Sequence, residues 1–339
     1  MQTIPLRRQA PILLRGTFAY NDEMPDAPRI LDKRQAGGRG LDLVCACVVG
    51  FAFSANYTNH APLVPALTQA FGFSLTLAGF LTTGIFLTHA AMQIPGGHMA
   101  DRLGARRVVT IALAQVCLGN FAIAFASSYW QLLFWKIFVG FGTGTCFVAG
   151  ARYVAAAYPG SRSHLAQGFY GGSVLLGSGF VIFAVPRFAA AFGWQGSFLI
   201  TATIATAAWV LWMVAAPGSS GPHPPPGSFG GMIANTQLWL LGLVQMASFG
   251  LVLVVSAWIT TFLRRELQID PVRAGMLGSI ALLLGIGMRP LGGVLVRRMG
   301  VHPLLRLSLI LGAAGCIRLA LAGNSVTWTG LAIVFIGMG

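Results

Sequence analysis

An arginine inside an apolar segment is the residue of this chain best suited to chemistry. Arg289 lies in Gly287-Met288-Arg289-Pro290-Leu291-Gly292-Gly293. A guanidinium held away from water is costly to leave unpaired. Its planar fork can hold a carboxylate or another oxyanion through two parallel hydrogen bonds. The chemistry this suggests is recognition of an anion rather than bond breaking. Pro290 can open the backbone locally and aim the side chain. The other reading of Arg289 is a side chain that reaches the membrane surface or pairs with a loop group. Asn56, Asn59 and His60 stand at i, i+3 and i+4 of one helical face, with Tyr57 beside them, and His89 and Gln93 stand at i and i+4. Polar stripes on apolar helices face protein or water, not lipid, so they read either as a cavity lining or as hydrogen bonds between helices. His60 and His89 are also the side chains here able to carry a proton near neutral pH. Lys136, near the outer end of its helix, reads equally as a snorkelling amine or as a site. Arg318 reads as a packing or lipid-headgroup residue. No Asp or Glu lies deep in an apolar run, which favours an anionic or polar solute over a cationic one.

Two short loops must position these residues. Gly97-His98-Met99-Ala100-Asp101-Arg102-Leu103-Gly104 is echoed by Gly293-Val294-Leu295-Val296-Arg297-Arg298-Met299-Gly300, so that Gly97, Arg102 and Gly104 each recur 196 positions later. Each copy joins two long apolar segments, which indicates two related halves. Gly97 and Gly293 let helices approach closely. Gly104 and Gly300 permit a backbone conformation that a Cβ would strain. Asp101 is an isolated acid among Arg102, Arg106 and Arg107. It can pair with one of them or with Arg152. The cluster, with Arg297 and Arg298, reads as a conformational latch or as a marker of the inner side of the membrane.

The composition agrees. Of 339 residues, 55% are hydrophobic and 9% charged, with a mean hydropathy of +0.73. A soluble domain carries about 25% charged residues. The formal net charge of +14 is spread over a basic N-terminal stretch and short connections, which fits membrane orientation and speaks against nucleic acid as a partner. Cys45, Cys47, Cys117, Cys146 and Cys316 all lie in apolar segments and read as buried thiols, so no metal or other cofactor is expected. No Walker, H-E-x-x-H or G-x-S-x-G motif occurs, so an enzyme is not expected.

A helix needs about 20 apolar residues to span a bilayer. Such runs fall at 41–65, 75–97, 107–127, 129–156, 166–190, 195–216, 236–263, 273–295, 303–322 and 325–339, about ten in all by that length. Residues 1–40 read as a disordered cytoplasmic tail and the Pro/Gly-rich 217–235 as a cytoplasmic linker. Basic residues gather on the side of the tail, with Arg264, Arg265 and Arg273 opposite, so the N-terminus is expected inside. The last run is short for a span. Phe335-Ile336-Gly337-Met338-Gly339 echoes Phe138-Val139-Gly140-Phe141-Gly142, so the chain is expected to stop inside its tenth helix, with a C-terminal pair missing.

The paired loop, with Gly97-x-x-x-Asp101-Arg102-x-Gly104-x-Arg106-Arg107 in the first half, resembles the loop between helices two and three of the major facilitator superfamily. Lys136-x-x-x-Gly140-x-Gly142 is similar to the family's fourth-helix pattern, and Gly171, Gly172, Gly177 and Gly179 fall where its fifth helix is Gly-rich. The resemblance covers about residues 41–339. It implies an all-α membrane protein of two helical bundles built from inverted and tandem repeats, here 41–216 and an incomplete 236–339. It also implies a secondary transporter of the cell membrane that moves a small solute by alternating access, with the loop cluster as latch. Around Arg289 the chain resembles the nitrate/nitrite porter branch, where an Arg in each half grips the anion. The first-half equivalent here is Gln93. That implies a small, anionic solute and a coupling proton or counter-anion. The alternatives are a proton-coupled drug or metabolite exporter and a truncated membrane protein that does not transport.

Overall fold

The computed structural model describes residues 33–218, 234–321 and 325–339, so most of the expected tail and linker lies outside the described residues. Within them the chain is helical. In order the helices are α1 (Lys33–Thr58), α2 (Val64–Phe71), α3 (Leu75–Ala91), α4 (Gln93–Leu103), α5 (Ala105–Ala124), α6 (Tyr129–Ala157) and α7 (Ser163–Ala215). They continue with α8 (Thr236–Gln245), α9 (Leu251–Arg265), α10 (Pro271–Met299), α11 (Val301–Ala320) and α12 (Val326–Met338). Six described stretches are long and apolar enough to cross a membrane, or seven with the bent pair α3–α4.

Local chemistry explains where these helices start and bend. Ser74, Ser128, Asp270 and Ser325 each cap a helix N-terminus by accepting a backbone N–H. Asp270 takes the amides of Val272 and Arg273 at 3.0 and 3.2 Å. The α3–α4 pair bends by 41° at Met92. Pro95 is the cause, since it has no N–H to give to the carbonyl one turn back. Gly193, at φ 70° and ψ −179°, breaks α7 in two. The 51-residue apolar stretch Leu165–Ala215 would be about 75 Å long if straight, against a hydrocarbon core of about 30 Å. The break at Gly193 falls between the runs that the sequence predicted at 166–190 and 195–216.

Small residues set the helix packing. A Cβ at Gly140 would stand 2.7 Å from the Ile85 carbonyl of α3, and one at Gly142 2.8 Å from the Ala112 carbonyl of α5. The Gly140-Phe141-Gly142-Thr143-Gly144 run thus lets α6 lie tightly between α3 and α5. A second seam joins α7 to α10. Gly275 faces the Ile182 carbonyl and Pro186, Gly179 faces Leu283, and Gly285 faces Leu175. The turn at Ala61–Leu63 packs on α9 through a small apolar cluster of Ala61, Leu175, Ile182, Ala257 and Leu282.

Candidate functional site

Arg289 lies on α10 beside a cavity of about 200 Å³ bounded by α10, α11, α12 and Phe249, with Leu175 lining it from α7. Its guanidinium carbon sits 4.8 Å from the centre of the Phe249 ring, a cation–π contact on one face. The side chain reaches across to α7 at Gly171. Among the described residues no carboxylate pairs with it.

Tyr57 faces this arginine from α1, close enough to interact with it electrostatically. Its ring is stacked on His89 at 5.4 Å and meets Phe86 edge-on at 5.4 Å. His89 is fixed through Nδ1, 3.1 Å from the Thr143 hydroxyl. The Gln93 amide donates to the His89 carbonyl at 3.3 Å, beside the bend at Met92. Arg289, Tyr57, His89 and Gln93 are therefore gathered about the seam between α1, α3–α4, α7 and α10.

Asn56, Asn59 and His60 make hydrogen bonds to neighbouring helices, the second of the two readings their polar face allows. All three are 0% exposed. The Asn59 amide donates to Asn120 Oδ1 at 3.1 Å and to the Thr201 hydroxyl at 2.8 Å. Asn56 donates to the Ala52 and Thr201 carbonyls, and His60 Nε2 lies 3.1 Å from the Thr82 hydroxyl. Lys136 completes the cluster. It is 0% exposed, donates to Asn59 Oδ1 at 2.5 Å and to the Asn56 carbonyl at 3.2 Å, and stands over the Phe198 ring. Of the two readings of Lys136, the snorkelling one does not hold: its amine points inward, to the Asn56 carbonyl and Asn59 Oδ1 at the end of α1. The sequence carried one signal for this cluster that went unread, an isolated Asn120 in the apolar α5. Phe249 and Gly171 had no comparable signal.

The loop cluster resolves into separate contacts. Asp101 pairs with Arg152 Nε at 2.8 Å. Arg106 donates instead to the carbonyls of Ala216 and Met213 at 2.9 and 2.8 Å, holding the end of α7. Arg102 and Arg107 are exposed, as is Arg298 in the second copy. Gly97 lies against Val148, where a Cβ would come within 3.2 Å. Gly104 and Gly300 have φ of 87° and 80°, a region that favours glycine, so the two loops share a backbone shape as well as a sequence. Gly293 and Arg297 stand on the last turns of α10. Among the described residues the Asp101 and Arg106 contacts stay within the first half and do not cross to the second.

The chain is similar to known transporters over most of its length. It is 25% identical over 276 residues to "Probable nitrate transporter NarT" of Staphylococcus epidermidis, covering 79% of this chain and 70% of that protein. It is 26% identical over 215 residues to "Nitrite extrusion protein" of Bacillus subtilis, covering 61% and 53%. Its fold matches a bacterial homologue of the human lysosomal transporter Spinster, solved inward-facing and occupied, with a TM-score of 0.72 at 18% identity over 89% of this chain and 71% of that one. Residues 46–339 match the sequence model of the Major Facilitator Superfamily, and with the duplicated loop and the helical seam already in place the chain belongs to that family.

Proposed function

We propose that the protein is a secondary transporter that carries a small anion across the cell membrane by alternating access, and that Arg289 grips the anion. One observation carries this: a largely buried guanidinium at the seam of the two halves, without a carboxylate among the described residues. Leaving such a charge unpaired costs several kcal/mol, so a solute that completes it binds with that energy behind it. A single guanidinium balances a monoanion better than a dianion. The names of the relatives from Staphylococcus epidermidis and Bacillus subtilis point the same way. Tyr57 stands within electrostatic reach of Arg289, with His89 stacked on it and Gln93 bonded behind. Asn56, Asn59 and His60 support it from behind.

Exchange against a counter-anion follows from the same residue. Arginine does not release its proton, so an emptied site must cross with an uncompensated charge. Refilling it with a second anion removes that cost. The two halves, 41–216 and 236–339, rock about the α7–α10 seam on a cytoplasmic linker at 217–235. The N-terminus lies inside, about ten spans cross the bilayer, and the loop cluster from Asp101 to Arg107 and from Gly293 to Gly300 biases the two states.

The experiment is counterflow in liposomes. Vesicles holding the protein and loaded with nitrite are diluted into labelled nitrate. Uptake that needs internal nitrite, and that is lost in Arg289→Ala, is the expected result. Equal uptake by Arg289→Ala would overturn the reading.

A further inference from the structure

We propose that Gly171 is a positioning residue for the anion: the missing side chain on α7 is the notch that seats the Arg289 guanidinium. This rests on the reading of Arg289 as the anion grip. An ideal Cβ at position 171 would stand 2.6 Å from Arg289 Nη1, 3.6 Å from its Cζ and 3.7 Å from its Cδ. The nearest atoms such a methyl meets all belong to this one side chain. The first distance is well inside the roughly 3.5 Å at which non-bonded atoms rest, so the guanidinium would have to move.

The other glycines of the seam do a different job. A methyl at Gly275 would meet the Ile182 carbonyl at 2.6 Å, and one at Gly179 would meet Leu283 at 2.9 Å. Those positions set how closely α7 and α10 pack. Gly172, next to Gly171, would meet only the Ile286 carbonyl at 3.7 Å, an ordinary contact. Gly171 therefore stands apart from its neighbours in addressing a functional side chain rather than the helix packing.

The consequence separates folding from binding. The far end of an arginine is flexible, so a methyl at 171 is relieved by swinging the guanidinium away, at little cost to the fold. Two-pronged recognition does not tolerate that movement, because such sites work only when held to within about 0.5 Å. In the present arrangement the notch places the guanidinium on the dividing line between the halves, within electrostatic reach of Tyr57 on α1. Groups from both halves can then address one small anion.

The test is calorimetric titration of the purified protein with nitrate, nitrite and acetate, each alone, using the best-bound of the three thereafter. Gly171→Ala is expected to bind it tenfold or more weakly, and Gly172→Ala within twofold of the parent. Without anion, both variants are expected to melt with the parent. On an Arg289→Lys background, adding Gly171→Ala is expected to change affinity by less than twofold, because the lysine has no Nη1 for the methyl to meet. The proposal is overturned if Gly171→Ala binds like the parent, if it unfolds the protein, or if it costs as much on the lysine background as on the parent. Loss of binding in Arg289→Ala with Gly171→Ala intact would remove this proposal alone. Parent-like binding by Arg289→Ala, or no binding of any of the three anions by the parent, would remove the anion reading and this proposal with it.

Discussion

Lys136 and Arg289 are both basic side chains in the apolar interior, and protein oxygens are in place for only one of them. Lys136 sits inside the first half with its ammonium against Asn59 Oδ1 and the Asn56 carbonyl, and a phenyl ring on its remaining side. Arg289 sits where α10 meets α7, with an aromatic ring on one face, and lines a cavity. Neither has a carboxylate partner among the described residues. The difference shows how burial and function separate in a membrane protein. A buried charge satisfied by protein oxygens organises a bundle, while one left open at an interface is completed by what the protein carries. The residue types match those tasks. A compact ammonium with three donors is filled by a few oxygens, and a planar guanidinium with five donors is not.

The comparison predicts a stability effect at one cation and a binding effect at the other. Lys136→Ala deletes a buried side chain and leaves Asn59 Oδ1 without its donor. It is expected to destabilise the protein by about 2–4 kcal/mol, read as an earlier thermal unfolding transition in detergent. An unchanged transition would mean that the amine is not part of the framework. A smaller effect is expected at Gln93. Its amide is bonded to the His89 carbonyl, so Gln93→Ala should weaken anion binding by about 1 kcal/mol, roughly fivefold. A loss as large as that of Arg289→Ala would make Gln93 an equal partner and place the grip on both halves. The smallest effect on stability is expected at Asp101→Asn. The Asp101–Arg152 pair is about one-third exposed on each side, and such pairs contribute less than about 1 kcal/mol. Unfolding should hardly move, whereas the transport rate should fall if the loop biases the two states. A parent-like rate would leave the loop as packing only.

Much of this molecule was legible in the sequence, but not depth. The duplicated loop was visible in Gly97 to Gly104 and Gly293 to Gly300, and the backbone repeats it at Gly104 and Gly300. The apolar runs marked most of the helices, because a bilayer fixes their length. The backbone break at Gly193 falls between two of them, in the short gap between the runs at 166–190 and 195–216. The Asn56, Asn59 and His60 stripe was legible as a polar face. Which neighbours that face meets depends on how α1 is rotated within its bundle, and a single helix does not carry that information. The two readings of Lys136 stayed open for the same reason. Its distance from the end of α6 suggested the membrane surface, while the oxygens that hold it come from α1, some 80 residues away in sequence. Gly171 was legible only as one glycine among several in its helix.

The most direct measurement is a side-by-side titration of Arg289→Gln and Lys136→Met with nitrate by calorimetry. Both substitutions remove a buried basic group and keep most of the side-chain volume. The expected result is a loss of a hundredfold or more for Arg289→Gln, consistent with losing charge-assisted hydrogen bonds of about 1.5–3 kcal/mol each, and less than threefold for Lys136→Met. Parent-like binding by Arg289→Gln, with the loss falling on Lys136→Met, would contradict the assignment of the open cation to the anion.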